Sequence, residues 1–228
     1  MFLITGASSG IGEYLFDHYS ETHEDCFGTY FSSVSKSSKK GLTKVDITDS
    51  NDIQSWVNSC VDQSENKKIV LINSAGISYN SFAHKADIEP WKKTIEANLI
   101  GPFNAIKECL PIMRDQQYGR IVNFGSVVSQ IGVPGTSAYA ASKSGLWGLG
   151  KSIAKENAAK NITINTLNLG YFDIGMINSI PKENLEEIIN AIPSRKLGQK
   201  ENIIKTIDYL ISSPYINGSS LDINGGLF

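Results

Sequence analysis

The residues Thr5-Gly6-Ala7-Ser8-Ser9-Gly10-Ile11-Gly12 join a short apolar run to a helical pattern, and this glycine-rich junction is the strongest indication of the fold. Glycine adopts positive φ angles and lets a ligand approach the backbone closely. The free N–H groups and the positive dipole end of a helix N-terminus suit a pyrophosphate. The spacing G-x-x-x-G-x-G departs from the G-x-G-x-x-G dinucleotide pattern, and a tight turn without a ligand is the alternative. Its position at the start of a strand–helix alternation favours phosphate binding.

Outward from this loop, short β-rich runs alternate with longer helical patterns. Several runs are apolar at consecutive positions, as in strands that are buried on both faces. The predicted strands are 2–5, 26–31, 42–45, 69–73, 120–124, 162–167 and 220–223, and the predicted helices are 11–20, 50–64, 88–116, 139–160 and 199–212. The alternation predicts an α/β protein: a single-domain Rossmann fold with a doubly wound parallel sheet of about seven strands. We expect one domain over 1–228, with a substrate lid at about 171–195.

Composition excludes several classes of function. The 228 residues carry 21 Lys and Arg against 23 Asp and Glu, a net charge of −2, which argues against nucleic acid or an anionic membrane as a partner. No apolar run approaches the roughly 18 residues of a membrane helix. Cys26, Cys60 and Cys109 are far apart, so they predict neither a zinc site nor a disulfide framework. We therefore expect a cytoplasmic protein without a metal.

A phenol and an ammonium stand four residues apart in Tyr139-Ala140-Ala141-Ser142-Lys143. On a helix these side chains share a face. A free phenol has a pKa near ~10, and a nearby cation is expected to lower it. A general acid or base works best when its pKa lies near the operating pH. The pair therefore predicts a proton-transfer site, and an incidental Tyr and Lys on a surface helix is the alternative.

Polar residues also stand where predicted strands end. Gly6, Asn73, Ser126 and Asn168 occupy such positions. Ligands of α/β sheets bind beyond the carboxyl ends of the strands, so we expect these four residues to converge on one crevice.

The glycine loop resembles the TGxxxGIG signature of the short-chain dehydrogenase/reductase family over its full length. Asn73-Ser74-Ala75-Gly76 is similar to the family's NNAG motif, and Leu221-Asp222-Ile223-Asn224-Gly225-Gly226 is similar to its closing strand and turn. The pattern covers nearly the whole chain and is most like that of the 3-oxoacyl-acyl-carrier-protein reductases.

This resemblance implies a catalytic tetrad of Asn98, Ser126, Tyr139 and Lys143. In the implied roles, Tyr139 exchanges a proton with the substrate oxygen and Ser126 hydrogen-bonds that oxygen. Lys143 lowers the pKa of the phenol and holds the nicotinamide ribose, while Asn98 anchors a water that leads to solvent. The implied activity is hydride transfer between a nicotinamide cofactor and a carbonyl/alcohol substrate.

The cofactor implied by the resemblance is NADP or NAD. The residues expected to bind it are Gly6, Ser8, Ser9, Gly10, Ile11, Gly12, Tyr30, Ser32, Asp46, Ile47, Asn73, Ala75, Gly76, Tyr139, Lys143, Gly170 and Phe172. No acid ends the second predicted strand, where a carboxylate would repel a 2′-phosphate, so NADP is preferred. Ser32, Ser33 and Lys36 are candidates to bind that phosphate, with a solvated loop as the alternative. Ile174 replaces a family threonine at the carboxamide, so we expect a backbone contact from Phe172 instead.

The substrate stays open between a 3-oxoacyl compound, a sugar derivative and a small ketone. A catalytically silent, cofactor-binding regulator or scaffold is the alternative function, and a sugar-nucleotide epimerase or dehydratase is a third. The family resemblance also implies a homodimer or homotetramer that packs the helices predicted at 88–116 and 139–160. Small residues on the second of these helices permit close contact, and packing on its own sheet is the alternative.

Overall fold

The computed structural model describes residues 1–32, 39–175, 177 and 181–228. Within these ranges, seven parallel strands form one sheet in the order β3-β2-β1-β4-β5-β6-β7. The strands are β1 (Phe2–Thr5), β2 (Cys26–Tyr30), β3 (Leu42–Lys44), β4 (Ile69–Asn73), β5 (Gly119–Ser126), β6 (Ile162–Leu169) and β7 (Ser220–Ile223). This order reverses direction between β1 and β4, which is the doubly wound arrangement predicted from the sequence.

Helices cover both faces of the sheet. They are α1 (Gly10–Thr22), α2 (Ser50–Gln63), α3 (Ile88–Ile95), α4 (Gly101–Asp115), α5 (Val128–Ile131), α6 (Ser137–Asn157), α7 (Lys182–Ala191) and α8 (Glu201–Ser212). The N-termini of α2 and α3 are capped by Asp49 and Asp87, whose carboxylates accept backbone N–H groups of the first turn. None of the helices in the described ranges is long and apolar enough to cross a membrane.

Consecutive apolar residues in each central strand supply two separate cores. Leu3 and Leu71 belong to a cluster with residues of α2, α4 and α6, whereas Ile4 and Ile72 belong to a cluster with residues of α1 and α8. Successive side chains of a strand point to opposite faces, so continuous apolar runs are needed when both faces are covered. The two cores hold the carboxyl ends of the strands in fixed positions along one edge of the sheet.

The helices of two regions differ from the sequence prediction. The region predicted as one helix over 88–116 contains α3, a π-helical turn at Glu96–Ile100, and α4. The region predicted as a lid at about 171–195 contains α7, which the sequence analysis did not assign. The π-helical turn is a local widening that often occurs at functional sites.

Candidate active site

One large cleft of about 1000 Å³ lies at the carboxyl ends of the strands. It extends from the ends of β2 and β3, across the glycine loop, to the end of β5 and the first turns of α6. Its lining includes most of the cofactor residues predicted from the sequence: Gly6, Ser8, Ser9, Gly10, Ile11, Gly12, Tyr30, Ser32, Asp46, Ile47, Ala75, Gly76, Tyr139, Lys143, Gly170 and Phe172. The length and volume of the cleft suit an extended dinucleotide.

The glycine loop is shaped by backbone conformations and contacts that favour glycine. Gly6 and Gly10 have φ angles of +70° and +54°. A Cβ on Gly6 would lie 2.6 Å from the α-carbon of Ala75, and a Cβ on Gly12 would overlap the carbonyl oxygen of Gly6. The N–H of Gly6 donates to Thr29 Oγ1 at 3.1 Å. These contacts hold the loop against β2 and β4, so that the N-terminus of α1 opens into the cleft and could hold a pyrophosphate.

Ser126 and Tyr139 come together at one end of the cleft. Ser126 is the last residue of β5, and Tyr139 lies in the first turn of α6. Their hydroxyl groups lie close enough to interact, and this interaction favours the ionised form of Tyr139, which lowers its pKa. Ser126 Oγ also accepts from the N–H of Val128 at 3.2 Å. The site therefore presents two adjacent hydroxyls to the cleft, an arrangement that can hold and protonate a carbonyl oxygen.

Lys143 lies one turn after Tyr139 on α6, as the i, i+4 spacing predicts. Its Nζ lies 5.7 Å from the centre of the Tyr139 ring and donates to the backbone carbonyl of Phe124 at 2.8 Å. The Lys143 side chain is buried, and burial lowers its pKa to about 8. Because this value is above neutrality, the side chain keeps its ammonium proton at pH 7.

The pKa of Tyr139 differs from the sequence expectation. The structure raises it, because burial of the phenol outweighs the lowering effect of the Ser126 hydrogen bond. We expected the ammonium of Lys143 to lower this pKa. Instead, the Lys143 ammonium lies 5.7 Å from the ring and is engaged by Phe124, while desolvation penalises the phenolate directly. The phenol of Tyr139 is thus protonated at neutral pH.

Asn98 lies fully buried in the π-helical turn between α3 and α4. Its Nδ2 donates to the carbonyl of Ile77 at 2.8 Å and to Ser142 Oγ at 3.2 Å. Its Oδ1 accepts the N–H of Ile77 at 2.8 Å. A Cβ on Gly76 would lie 3.1 Å from that oxygen and 3.6 Å from Lys143 Nζ. Asn98 therefore joins the loop after β4 to α6, close to the lysine.

Two of the four residues expected to converge on the crevice lie elsewhere. Gly6 and Ser126 line the cleft. Asn73 is buried in the sheet, where its Nδ2 donates to Asn123 Oδ1 on β5 at 2.8 Å. Asn168 bonds to side chains of α6 and β7 rather than to the cleft. A residue at the end of a strand can direct its side chain to either face of the sheet or along it. The side chains of Asn73 and Asn168 bond to neighbouring strands and helices instead of facing the cleft.

The adenosine end of the cleft is formed by the ends of β2 and β3. Tyr30, Phe31 and Ser32 line it together with Asp46 and Ile47. Asp46 Oδ1 accepts from the N–H and the hydroxyl of Thr48, at 2.9 and 2.6 Å. A carboxylate held in this way suits an amino group such as that of adenine. The candidate phosphate residues Ser33 and Lys36 lie outside the described residues.

The described part of the predicted lid packs over the glycine loop. Phe172 is buried and pairs with Gly198 as an isolated parallel bridge. A Cβ on Gly10 would lie 3.2 Å from the α-carbon of Gly175, so the two glycines bring the segments into close contact. Ile174 also lines the cleft. The segment after β6 thus closes one side of the cleft.

The sequence analysis missed several residues that shape the site. Thr5 Oγ1 accepts the N–H of Ala75 at 3.2 Å, and Thr29 supports Gly6 in the same way. Lys93 and Glu96 line the cleft from α3 and the π-helical turn. Nothing in the local sequence distinguishes these threonines from other strand residues, because their partners are distant in sequence. The sequence alone does not show that Lys93 faces the cleft, because the π-helical turn changes the direction of side chains between Lys93 and Asn98.

Comparison with known proteins matches this description. The family model for short chain dehydrogenases matches residues 1–185. The chain is 31% identical over 239 residues to a 3-oxoacyl-(acyl-carrier-protein) reductase of Staphylococcus aureus strain Mu50, covering 99% of this chain and 97% of that protein. It is 35% identical over 237 residues to the reductase of the same description from Thermotoga maritima, covering 99% and 96%.

Two further similarities extend the comparison. An acetoacetyl-CoA reductase of Shinella zoogloeoides is 40% identical over 162 residues, covering 70% of this chain and 67% of that protein. A crystal structure from Agrobacterium tumefaciens, assigned as a gluconate dehydrogenase, superposes with a TM-score of 0.88 at 23% identity and covers 100% and 95% of the two chains. The latter similarity is one of fold.

A parallel doubly wound sheet with a dinucleotide-sized cleft and a Ser–Tyr–Lys group at one end defines a nicotinamide-dependent oxidoreductase. The chain belongs to the short-chain dehydrogenase family. It is an NAD(P)-dependent enzyme that transfers a hydride between the cofactor and a carbonyl/alcohol substrate. The alternative of a catalytically silent regulator is not favoured by these relatives.

Proposed function

We propose that this protein is an NADPH-dependent reductase of 3-oxoacyl thioesters. Its proposed catalytic tetrad consists of Asn98, Ser126, Tyr139 and Lys143. The observation that carries the proposal is that Ser126, Tyr139 and Lys143 line the same cleft, with Lys143 Nζ 5.7 Å from the centre of the Tyr139 ring. The proposal treats residues 1–228 as one catalytic unit, with 171–195 as its substrate lid.

The roles follow from the protonation states of the buried groups. Tyr139 is a neutral phenol at pH 7, so it is placed to donate a proton to a carbonyl oxygen. Ser126 hydrogen-bonds the same oxygen and stabilises the charge that develops on it. Lys143 keeps a positive charge beneath Tyr139 and holds the ribose hydroxyls. Asn98 orders the loop beside Lys143. The family resemblance adds the role of anchoring a water through which Tyr139 is reprotonated. The nicotinamide cofactor, when bound, supplies the hydride.

The preference for NADPH rests on charge at the end of β2. The described lining residues there, from Thr29 to Ser32, carry no carboxylate. Asp25 precedes β2, and its Oδ2 accepts from Ser64 Oγ at the opposite edge of the sheet. Tyr30 and Ser32 offer hydroxyls to a 2′-phosphate without repelling it.

The substrate class follows from the lining around Ser126. Val127 and Val128 follow Ser126 in the chain, and Leu169 pairs with Ser126 in the sheet. Tyr171 and Ile177 also line the cleft. These side chains offer apolar surface and one phenol, which suits a neutral acyl group better than a carboxylate or a phosphate. Relatives described as 3-oxoacyl-(acyl-carrier-protein) and acetoacetyl-CoA reductases act on such acyl groups. A sugar derivative or small ketone remains the second candidate substrate.

The proposed enzyme is a cytoplasmic homodimer or homotetramer. Ile100, at the end of the π-helical turn, and Phe103, at the start of α4, are 44% and 43% exposed. Gly148 on α6 has open space at its Cβ position, so another helix can approach closely. Apolar side chains beside a small residue favour packing of α4 and α6 between subunits. Sedimentation of the purified chain measures the state, and a monomer at micromolar concentration would contradict this part of the proposal.

The decisive experiment measures acetoacetyl-CoA reduction with NADPH for Tyr139→Phe. We expect kcat to fall by about 10³-fold, while NADPH binding, followed by fluorescence, stays unchanged. Tyr215→Phe is the matched control because Tyr215 is fully exposed, and it should retain full activity. An active Tyr139→Phe variant would refute the assigned role. Tighter binding of NADH than NADPH would refute the cofactor preference, and turnover only with keto-sugars would refute the acyl substrate.

A further inference from the structure

Four side chains form a hydrogen-bonded network beside the Ser126–Tyr139 pair, on α5, α6, β6 and β7. Trp147 Nε1 donates to Asn168 Oδ1 at 2.9 Å, and Asn168 Nδ2 donates to Asp222 Oδ1 at 2.8 Å. Gln130 Nε2 donates to the same oxygen of Asp222 at 2.8 Å. We call these four residues the Asp222 network. One carboxylate oxygen of Asp222 therefore accepts hydrogen bonds from two side-chain amides, one on α5 and one on β6.

One end of the Asp222 network lies on the helix that carries Tyr139. Tyr139, Lys143 and Trp147 are spaced four residues apart on α6, so all three lie along one side of that helix. The bond from Trp147 to Asn168 ties this side of α6 to β6. The position of Tyr139 along the sheet is thereby linked to the carboxyl end of β6.

The other end of the Asp222 network lies on the turn that follows Ser126. Gln130 is four residues beyond Ser126, and Ser129 Oγ donates to the Ser126 carbonyl at 2.5 Å within the same turn. Asn168 also lies against Gly125, since a Cβ on that glycine would overlap Asn168 Oδ1. The position of Ser126 is therefore fixed on both sides along the chain. Gly125 before it packs against Asn168, and Gln130 in the turn after it bonds to Asp222.

We propose that Asp222 is a positioning residue that fixes the Ser126 hydroxyl relative to the Tyr139 hydroxyl. The network and the contact between the Ser126 and Tyr139 hydroxyls together link α6, β6, β7 and the turn after β5. Asp222 Oδ1 is the acceptor that Gln130 and Asn168 share, so its loss would break two of the hydrogen bonds in this network. The inference rests on the proposed function, because it gives Asp222 a role through Ser126.

Removal of the acceptor oxygen of Asp222 should break two hydrogen bonds of the Asp222 network without unfolding the protein. Asp222 lies on the edge strand β7 and its residue is exposed, so truncation buries no unpaired charge. Gln130 and Asn168 would lose their shared acceptor, and the turn after Ser126 would lose its tie to the sheet. A displacement of about 1 Å at a catalytic group costs as much as about 10²-fold in rate.

The test compares Asp222→Ala with Asp222→Asn. The asparagine keeps an oxygen that can accept both amides, so it should retain kcat to within about twofold, whereas alanine should lower kcat about 10-fold with little change in NADPH affinity. Gln130→Leu removes the hydrogen bond between Gln130 and Asp222 by changing its donor, and it should lower kcat as Asp222→Ala does. This second variant keeps the test valid if Asp222→Ala folds poorly. Equal kcat in all four proteins would overturn the inference.

The pH profile of alcohol oxidation with NADP⁺ supplies a readout that a purely structural role would not move. The hydrogen bond with Ser126 lowers the pKa of Tyr139, so its loss should move the rise of the oxidation rate to higher pH in Asp222→Ala but not in Asp222→Asn. The other charged side chains in the described lining of this cleft are Lys143, Asp46, Lys93 and Glu96. They are unchanged in both variants. Identical profiles for both variants would contradict the inference.

Two controls separate this inference from the proposed function. If Ser126→Ala retains full kcat, the proposed function fails. If Ser126→Ala is impaired and Asp222→Ala is not, only the inference about Asp222 fails. In the Ser126→Ala background, Asp222→Ala should have no further effect on kcat, because Asp222 acts through that serine. Asp208→Ala is the matched control, since Asp208 also accepts a 2.8 Å hydrogen bond, from Tyr19, and it should leave kcat and the pH profile unchanged.

Discussion

Replacement of Lys143 by Met tests whether burial sets the protonation of the active site. The Lys143 side chain is buried, with 6% of its surface exposed, and its Nζ donates to the Phe124 carbonyl at 2.8 Å. Burial lowers its pKa from an ordinary value of 10.5 to about 8. Methionine has a similar length and no proton to bind, so the variant removes this titration while filling the same space.

The sign of the effect follows from proton linkage. Between about pH 8 and 10.5 the unfolded chain holds a proton on Lys143 that the folded chain has lost, so the free energy of unfolding rises with pH in that window. At about 1.4 kcal/mol per pKa unit, the full difference is about 3 kcal/mol. The hydrogen bond lost with Phe124 changes the stability of the variant by an amount that does not follow this titration. Other titrating groups are common to both proteins and cancel in the difference.

Denaturant unfolding at a series of pH values measures this difference. From pH 8 to about pH 10 the wild type should gain about 2–3 kcal/mol relative to Lys143→Met. Lys151→Met, at an exposed position two turns further along α6, should run parallel to the wild type throughout. A constant difference between wild type and Lys143→Met across this range would show that burial does not lower the pKa of Lys143, and the reasoning on protonation would fail.

Three glycine positions give further expected outcomes. In Gly12→Ala the new Cβ would overlap the carbonyl oxygen of Gly6, so we expect a loss of about 1–3 kcal/mol of stability and weaker NADPH binding by titration. In Gly198→Ala the Cβ would lie 2.7 Å from the Phe172 ring, so the base of the lid should shift and KM for acetoacetyl-CoA should rise. Gly150→Ala is the matched control for both, because its Cβ would lie 3.9 Å from Ile164 and Thr166, an ordinary contact distance; it should stabilise α6 by about 0.5–1 kcal/mol and leave the kinetics unchanged.

The sheet was predictable because its sequence signal is local and redundant. Pairs such as Leu3–Ile4 and Leu71–Ile72 send one residue into each core, and no other common arrangement uses such continuous apolar runs. The break in the helix predicted at 88–116 was not predictable in the same way. The π-helical turn at Glu96–Ile100 changes the hydrogen-bond step without glycine in its interior, so the apolar pattern continues across it.

The site was predictable where a motif fixes both position and direction. The i, i+4 spacing of Tyr139 and Lys143 determines their common face once the helix is given, and the structure places them together. Asn73 and Asn168 carried only a position at a strand end. Their side chains bond to Asn123 and Asp222, partners that are distant in sequence and that pairing of the strands alone brings close. The Asp222 network had no sequence signal for the same reason.

The direction of the Tyr139 pKa changes how the active site should be understood. A phenolate stabilised by a neighbouring ammonium would be a base already present in the resting enzyme. The structure instead holds a protonated phenol, with a pKa raised by burial, above an ammonium whose own pKa is lowered to about 8 by the same burial. Both groups therefore carry their protons at pH 7, which is the state that ketone reduction requires of a proton donor. In the proposed mechanism, burial keeps Tyr139 protonated before the transfer, and the nearby positive charge of Lys143 offsets part of the cost of the phenolate that forms when the proton leaves.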